Sequence, residues 1–228
     1  MLKEALTGKL SNDEIAQMWA AFDVIGDIAI IRIPENLSKR SELISNAILE
    51  KVGNVKSVYE QIEKIEGTYR LRRLQWLAGE SKTNTIHTEH GCKFHVDVAK
   101  VYFSPRLSHE RLRIAKMVRP NEVVVNMFGG VGPFSIVIAK IRKDVKVYSI
   151  DLNPDANIFA MENIRLNKLS DRVTHIQGDS KKVVREILNG KADRILMPLP
   201  ESSHEYLHDA ICALKPPGGV IHYYTHVT

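Results

Sequence analysis

The chain has 228 residues with a formal net charge of +5, and 44% of its residues are hydrophobic. These totals are ordinary for a globular protein of one large domain, or of one domain with a small appendage. The two cysteines, Cys92 and Cys212, lie far apart in sequence, which argues against a disulfide scaffold and a zinc ribbon and favours a reducing compartment. No apolar run is long enough for a membrane span, and the first residues are too polar for a signal peptide, so we expect a cytoplasmic protein.

The first part of the chain predicts short helices and strands in a mixed order. Residues 2–20 suggest a short helix, in which Ser11 stands at a cap position and Glu14 follows in capping-box spacing. A strand is predicted over 27–34 and a helix over 37–53. Four further segments alternate in the manner of an antiparallel sheet with glycine turns: VKSVYEQIEKIEG, YRLRRLQWLAG, TNTIHTEHGCKFHVDV and KVYFSP. We therefore predict a small α+β module over residues 1–105.

The second part, residues 106–228, alternates helices and strands in a regular way. After a helix over 110–119, strands are predicted at 122–129, 145–153, 173–179, 192–200 and in GGVIHYYTH, each pair separated by a helix. Such alternation with short connections predicts an α/β domain with a parallel sheet and helices on both faces, as in a Rossmann-like fold.

Candidate ligand-binding residues stand where three of these strands end. The segment NMFGGVGPF (126–134, the glycine turn) lacks the GxGxxG order of a phosphate-binding loop. Asp151 closes the second strand 22 residues after Gly129, where a carboxylate can accept both ribose hydroxyls of a nucleoside. Gly178 and Asp179 close the third strand, where an adenine amine could be met. Strand ends in any α/β protein are rich in Gly and Asp, but the ordered set of three favours an adenosyl cofactor.

Two prolines follow the fourth strand in RILMPLPESSHEYL, with Leu199 between Pro198 and Pro200. Proline removes a backbone donor and is poorly tolerated inside a sheet, so the strand should end here. Ligands of open α/β sheets bind beyond the carboxyl ends of the strands, so we expect this stretch to face the substrate. The alternative interpretation is a rigid turn that does not contact substrate.

Five segments, starting near residue 66, together carry a family resemblance: GTYRLRRLQWLAGE, TIHTEHGCKFHVDVAKVYFSPRLSHERLRI, NMFGGVGPFSI, SIDLNPDANIFAMENIRLNK and DRILMPLPESSHEYL. The chain resembles the archaeal and eukaryotic tRNA (guanine-37, N1)-methyltransferases and their wyosine-pathway relatives. The resemblance implies a class I methyltransferase sheet, S-adenosylmethionine as cofactor and the tRNA anticodon stem-loop as partner. The implied reaction is methylation of N1 of the guanine beside the anticodon, with that base unstacked into a pocket.

The resemblance also implies roles for individual residues. Glu110 matches the family's general base, although an acid in the first turn of a helix is also favoured by the helix dipole. Arg70 is the best match to the arginine that steadies charge on guanine O6, with Arg72 and Arg73 as neighbouring alternatives. The implied cofactor-binding residues are Tyr102, Phe103, Met127, Phe128, Gly129, Gly130, Gly132, Pro133, Phe134, Asp151, Leu152, Asn153, Gly178, Asp179, Pro198, Leu199 and Pro200. Tyr102 and Phe103 could equally be core residues between the two parts of the chain.

The sequence departs from the family pattern in three places. Pro198 stands where relatives place an asparagine that can bond the base, so it joins Glu110 and Arg70 as a catalytic-site candidate, and Glu201 could supply the missing bond. About 60 residues precede the matching region, too few for both a linking module and the family's domain for the tRNA elbow. The chain stops at HYYTHVT, before the closing hairpin of the sheet, so its C-terminal strands are expected to be short.

Three functions therefore stay open. Methylation of guanine-37 is the leading one. The second is a wyosine-pathway activity, either methylation of a tricyclic guanosine or aminocarboxypropyl transfer, and the third is an RNA-binding module that holds the cofactor without turnover. The nine histidines show no ligand spacing, so we expect no metal, and we expect a monomer.

Overall fold

A computed structural model of the chain describes residues 6–18, 22–63, 67 and 69–226. The chain forms two compact units that interleave in sequence. The first consists of Met1–His87, Val96–Lys100 and Ser104–Arg106, and the second of Thr88–His95, Val101–Phe103 and Leu107–Thr228. The single division after residue 105 stays a prediction.

The first unit holds a four-stranded sheet and two helices. They are α1 (Asn12–Gln17), β1 (Asp23–Ile25), β2 (Ile28–Ile31), a 3-10 turn (Glu35–Arg40), α2 (Ser41–Lys51), β3 (Ser57–Gln61) and β4 (Leu74–Gly79). The sheet order is β1-β2-β3-β4, with β2 and β3 parallel and the other two pairs antiparallel. The parallel pair was not predicted. It arises because α2 lies in the connection and returns the chain to the same end of the sheet.

The predicted start of α1 is confirmed by its capping box. The Glu14 N–H donates to the Ser11 hydroxyl at 3.2 Å, and the Ser11 N–H donates to the Glu14 carboxylate at 2.8 Å. Each side chain therefore satisfies a backbone donor that the helix end would otherwise leave free. The outer parts of the predicted helix, residues 2–5 and 19–20, and residues 64–66 and 68 of the predicted strands lie outside the described residues.

A hairpin joins β5 (Asn84–Glu89) to β6 (Cys92–Asp97). Its two turn residues have positive φ angles, 47° at His90 and 72° at Gly91, as a tight two-residue hairpin turn requires. The strand predicted in KVYFSP is wrong, because residues 101–104 form no regular structure and a 3-10 turn spans Pro105–Leu107. Proline fixes φ and offers no N–H to a ladder, so pairing cannot continue through Pro105.

The second unit contains the predicted α/β sheet. Its elements are α3 (Ser108–Met117), β7 (Val123–Asn126), α4 (Pro133–Ile141), β8 (Lys146–Asp151), α5 (Pro154–Leu166), β9 (Val173–Gln177), α6 (Ser180–Val183) with a π turn (Val184–Leu188), β10 (Arg194–Met197), a 3-10 turn (Ser203–Tyr206), α7 (Leu207–Ala213) and β11 (Val220–Tyr223). All four strand pairings are parallel, in the order β11-β10-β7-β8-β9. The predicted parallel sheet is therefore confirmed.

Each unit has its own hydrophobic core. Ile31, Ile44 and Val58 are among the buried residues of the first, and Val125 and Ile195 among those of the second. None of the helices in the described part of the chain is long and apolar enough to cross a membrane.

Candidate active site

The strand order of the second unit creates a crevice at the carboxyl ends of its strands. The chain runs from β7 outward through β8 and β9, then returns to build β10 and β11 on the other side of β7. A parallel sheet opens at such a switch point, and ligands bind there. The residues predicted to bind ligand stand at these strand ends. Asp151 is the last residue of β8, and the glycine turn, Gly178 and Pro198 stand at the ends of β7, β9 and β10. The fold thus gathers at one edge of the sheet most of the residues that the sequence singled out.

The glycine turn passes very close to β8. The Gly129 N–H donates to the Ile150 carbonyl at 2.7 Å, and a Cβ on Gly129 would lie 2.1 Å from the Ser149 hydroxyl oxygen. Gly130 and Gly132 have φ angles of 53° and 89°, which residues other than glycine rarely adopt. These glycines are therefore needed for the path of the backbone itself.

Asp151 is held by the backbone around it. One carboxylate oxygen accepts the N–H of Gly130 at 2.6 Å, and the other accepts the N–H of Asn153 at 2.9 Å. Burial raises the pKa of Asp151, and these amide hydrogen bonds oppose that shift. A carboxylate has about four lone-pair sites, so these two amides, together with the Leu152 N–H, leave acceptor capacity for a hydroxyl group. The next residue, Leu152, is 44% exposed and offers an apolar surface beside the carboxylate.

Asn153 and Asp179 act as helix N-caps in this structure. The Asn153 side chain accepts the N–H of Asp155 at 2.9 Å, and that of Asp179 accepts the N–H of Lys181 at 2.7 Å. These bonds orient α5 and α6, whose first turns face the same edge of the sheet. A capping carboxylate keeps acceptor sites for a further donor.

The side chains of several predicted pocket residues belong to the core. Met127, Phe103 and Phe134 are all buried, with exposed fractions of 0%, 2% and 4%. The Met127 N–H donates to the Leu196 carbonyl at 3.0 Å, and its own carbonyl accepts the Ser180 hydroxyl. Any contact of Met127 with a ligand would therefore come from its backbone.

The other predicted aromatic residues are half-buried. Phe128 packs edge-on against Tyr206, with ring centroids 4.9 Å apart. A Cβ added to Gly130 would lie 3.8 Å from the Tyr102 carbonyl oxygen. Apart from the chain neighbours of Gly130, no other described residue has a heavy atom within 4 Å of that Cβ position. The space beside Gly130 is thus open to an approaching group.

The predicted strand over 192–200 is shorter in the structure: β10 ends at Met197, and Pro198, Leu199 and Pro200 form a half-buried loop after it because proline removes the backbone donor. The buried Ser203 hydroxyl bridges the carbonyls of Met197 at 2.9 Å and Leu199 at 2.8 Å. Sequence reasoning missed Ser203, whose local signal is only the ESSH run after the prolines. This bridge and the two fixed φ angles make the loop stiff.

Glu110 lies in the first turn of α3, with its side chain 24% exposed. Its carboxylate accepts two hydrogen bonds from Arg113, each at 2.7 Å, and one from the Tyr224 hydroxyl at 2.6 Å. The Arg113 guanidinium lowers the pKa of Glu110, against the effect of burial, and the Tyr224 hydroxyl lowers it further. The carboxylate is therefore ionised at neutral pH, as a general base must be.

Two other parts of the recognised motifs are structural. Buried Arg111 pairs with Glu89 through Nε and Nη2 of its guanidinium, with the Nη2 bond at 2.6 Å, and lies over the Phe103 ring. Asn163 on α5 and its C-cap Asn167 each bond both the N–H and the carbonyl of a β6 residue, His95 and Lys93 respectively, at 2.6–3.1 Å. The side chains of one helix thus complete the hydrogen bonding of the hairpin edge, a use that their spacing alone did not reveal.

The three candidate arginines, all in the first unit, differ in their surroundings. Arg72 is buried and pairs with Asp23 at 2.8 Å, which also accepts from Arg106 at 2.6 Å. Arg73 is exposed and pairs with exposed Glu63. Arg70 is half-buried and has a φ of 53°, a left-handed conformation that is uncommon for a residue with a side chain. Of the three, Arg70 has the strained backbone that is frequent at functional sites.

Within the described residues, no group of three or more His, Cys, Asp or Glu side chains is arranged to hold a metal ion. The comparisons with known proteins concern the whole chain. The TRM5/TYW2 methyltransferase domain matches residues 85–228, and the TYW2 N-terminal domain matches residues 2–83. The chain belongs to the TRM5/TYW2 methyltransferase family. The match to the TYW2 N-terminal domain begins well before residue 66, where the segments that carry the sequence resemblance start.

Two curated relatives illustrate the range of this family. The chain is 52% identical over 204 residues to the tRNA (guanine(37)-N(1))-methyltransferase Trm5b of Pyrococcus abyssi, a match that covers 90% of this chain and 59% of the relative. It is 43% identical over 212 residues to the tRNA 4-demethylwyosine(37)-methyltransferase Taw21 of Saccharolobus solfataricus, covering 92% of this chain and 79% of the relative. The chain thus spans about three fifths of the length of that Trm5b.

Solved structures of the family share the fold. One described as the complex of aTrm5 and tRNALeu matches with a TM-score of 0.87 and 40% identity, over 98% of this chain and 65% of that one. A Methanocaldococcus jannaschii TYW2 in complex with AdoMet matches with a TM-score of 0.65 and 34% identity, over 89% of this chain and 75% of that one. The α/β methyltransferase fold predicted from the sequence is confirmed.

Proposed function

We propose that this chain transfers a methyl group from S-adenosylmethionine to N1 of guanine-37 in tRNA. The observation that supports this most is the Glu110 carboxylate, ionised at neutral pH and in the same unit as the glycine turn and Asp151. The Trm5b relatives are named for this reaction, and the solved complex of aTrm5 with tRNALeu supports tRNA as the partner. A monomeric state and a cytoplasmic location stay predictions from the sequence.

The crevice of the second unit fits an adenosyl cofactor. The Asp151 carboxylate keeps acceptor capacity for a ribose hydroxyl, and exposed Leu152 offers an apolar face for an adenine ring. The open space beside Gly130 admits a group against the backbone, and Asp179 can accept from an exocyclic amine. The remaining predicted pocket residues would line this site through backbone or ring edges. When bound, the cofactor would supply an electrophilic methyl group.

Glu110 is the proposed general base. Guanine N1 carries a proton at neutral pH, and that proton must leave when the new N–C bond forms. Because Arg113 lowers its pKa, Glu110 is a weak base, so it would accept the proton as the bond forms rather than beforehand. While the N1 proton is leaving and the N–C bond is still incomplete, partial negative charge develops on guanine O6, and Arg70 is the group we propose to stabilise it.

The stiff loop of Pro198, Leu199 and Pro200 would form a wall of the base pocket. Pro198 has no polar side-chain atom, so any hydrogen bond to the base edge must come from a neighbour. Glu201 is the candidate, because it follows the loop directly and its carboxylate can accept from a base amine.

A wyosine-pathway reaction is the second candidate. The chain covers 79% of Taw21, a larger share than of Trm5b, and the N-terminal match is to a TYW2 domain. The same general base, Glu110, and the same cofactor site would serve a tricyclic guanosine at the same position in tRNA. The third candidate, a module that binds cofactor and tRNA without turnover, is favoured by the apolar Pro198.

A single assay separates the three. The protein would be incubated with S-adenosylmethionine labelled in the methyl group, or in the aminocarboxypropyl group, and with tRNA carrying G, A or 4-demethylwyosine at position 37. Methyl label on the G-37 tRNA alone supports our proposal. Label on the 4-demethylwyosine tRNA alone supports the second function, and the labelled group distinguishes its two forms. Cofactor binding by calorimetry without transfer to any tRNA supports the third.

A further inference from the structure

Tyr224, just after β11, connects two parts of the candidate site. Its hydroxyl donates to Oε1 of Glu110 at 2.6 Å. Its ring packs against the ring of Phe134, with centroids 6.2 Å apart and planes at 65°. Phe134 is the last residue of the glycine turn and lies in the first turn of α4. A single side chain thus contacts both the proposed base and the helix that begins at the proposed cofactor site.

The two oxygens of the Glu110 carboxylate differ in the number of donors that they accept. Oε1 accepts from the Tyr224 hydroxyl and from Nη2 of Arg113, whereas Oε2 accepts from Nε of Arg113 alone among the described residues, at 2.7 Å. Each carboxylate oxygen has about two lone-pair sites. Oε1 is therefore saturated, and Oε2 keeps one site for a further donor.

We propose that Tyr224 is a positioning residue that holds Glu110 so that Oε2 receives the N1 proton of guanine. This inference rests on the proposed function, in which Glu110 is the base. Arg113 alone would hold the carboxylate less firmly, because its side chain is 57% exposed and lies on the same helix as Glu110. Tyr224 instead approaches from another element, and its ring is fixed by Phe134. Burial and the Glu110 carboxylate raise the pKa of Tyr224, so its hydroxyl stays a donor across the working pH range.

The groups that act on Glu110 come from two elements. Arg113 lies on the same helix, and Tyr224 and His222 come from β11 and the residue after it. All three lower the pKa of Glu110, while burial raises it. Removing the Tyr224 hydroxyl should therefore raise that pKa and displace the carboxylate.

The test is Tyr224→Phe, which keeps the ring contact with Phe134 and removes only the hydroxyl. Tyr223→Phe is the matched control, because the same atom is removed from the adjacent side chain, which is 42% exposed. In single-turnover methyl transfer to G-37 tRNA, we expect Tyr224→Phe to be about 10- to 100-fold slower at unchanged cofactor affinity, with a slightly lower melting temperature because a hydrogen bond to a carboxylate is lost. The acid limb of its pH–rate profile should move to higher pH. Tyr223→Phe should match the wild type.

A double variant distinguishes this inference from the proposed function. If Tyr224 acts through Glu110, adding Tyr224→Phe to Glu110→Gln should slow transfer no further. A Tyr224→Phe rate equal to that of Tyr223→Phe, or an additive loss in the double variant, would overturn the positioning role while leaving Glu110 as the base. An unchanged rate in Glu110→Gln alone would instead overturn the proposed mechanism.

Discussion

The carboxylate of Asp151 accepts the backbone N–H of Gly130 across 2.6 Å, joining the end of β8 to the glycine turn after β7. The bond gives a buried carboxylate a fixed orientation, and it ties the shape of the turn to that side chain. The proposed adenosyl site and the path of the turn therefore share the same residue.

We expect Asp151→Ala to abolish measurable binding of S-adenosylmethionine. The substitution removes the proposed ribose acceptor and leaves the Gly130 and Asn153 N–H groups without their present partner. Calorimetric titration is the measurement, with Asp171→Ala, an exposed carboxylate paired with Arg172, as the control. Wild-type affinity in Asp151→Ala would refute the ribose assignment.

Gly129→Ala should destabilise the second unit and weaken cofactor binding. Its Cβ would lie 2.1 Å from the Ser149 hydroxyl oxygen, so the buried Ser149 side chain, the turn or β8 must move, at a cost of about 1–3 kcal/mol. Urea denaturation measures the loss, and adding Ser149→Ala should restore part of it. Gly53→Ala is the matched control, because beyond its chain neighbours no atom of the described residues lies within 4 Å of its Cβ position, and it should be neutral or slightly stabilising.

The three arginines should separate into structural and functional groups. Arg72→Met breaks a buried ion pair with Asp23 and should reduce the free energy of unfolding by about 3 kcal/mol. Arg70→Met should slow methyl transfer and leave stability and cofactor affinity unchanged. Exposed Arg73→Met should change neither stability nor the rate of methyl transfer. Chemical denaturation and single-turnover transfer together test this. If Arg72→Met were stable but inactive and Arg70→Met fully active, Arg72 would take the proposed role.

The pKa of Glu110 sets the acid limb of the reaction. Because Arg113 and Tyr224 lower that pKa below 4.5, Glu110 stays ionised as pH falls from neutral, and its contribution to stability and rate is lost only below that value. The rate should thus show no Glu110 limb between about pH 5 and pH 8. In Arg113→Met, where burial acts with less opposition, the pKa of Glu110 rises and the limb should move to higher pH. An unchanged profile in Arg113→Met would contradict this account of the pKa.

The sequence predicted the features that local patterns determine. The strand–helix alternation gave the parallel sheet, Ser11 and Glu14 gave the capping box, and the prolines after Met197 gave the end of β10. Each depends on neighbouring residues and on backbone rules that hold in any protein. The strand predicted in KVYFSP failed because its apolar alternation outweighed Pro105 in the prediction, whereas in the structure the proline prevents pairing.

Tertiary contacts were beyond such patterns. Glu110 and Tyr224 are 114 positions apart, and Glu89 and Arg111 are 22 apart, with no signal of pairing in either local sequence. Asn163 and Asn167 have helical spacing, but their use to bond a hairpin edge depends on where α5 packs. The sequence could therefore name a base by resemblance, but not the groups that tune and orient it.

We propose that Glu110 takes the N1 proton of guanine-37 during methyl transfer. The most direct measurement compares wild type and Glu110→Gln in single-turnover transfer to a G-37 tRNA transcript, with cofactor affinity measured in parallel. We expect the wild type to methylate N1 of guanine-37. We expect the methyl-transfer rate of Glu110→Gln to be about 10²–10⁴-fold lower at unchanged cofactor affinity. A variant that methylates guanine-37 at the wild-type rate would contradict it.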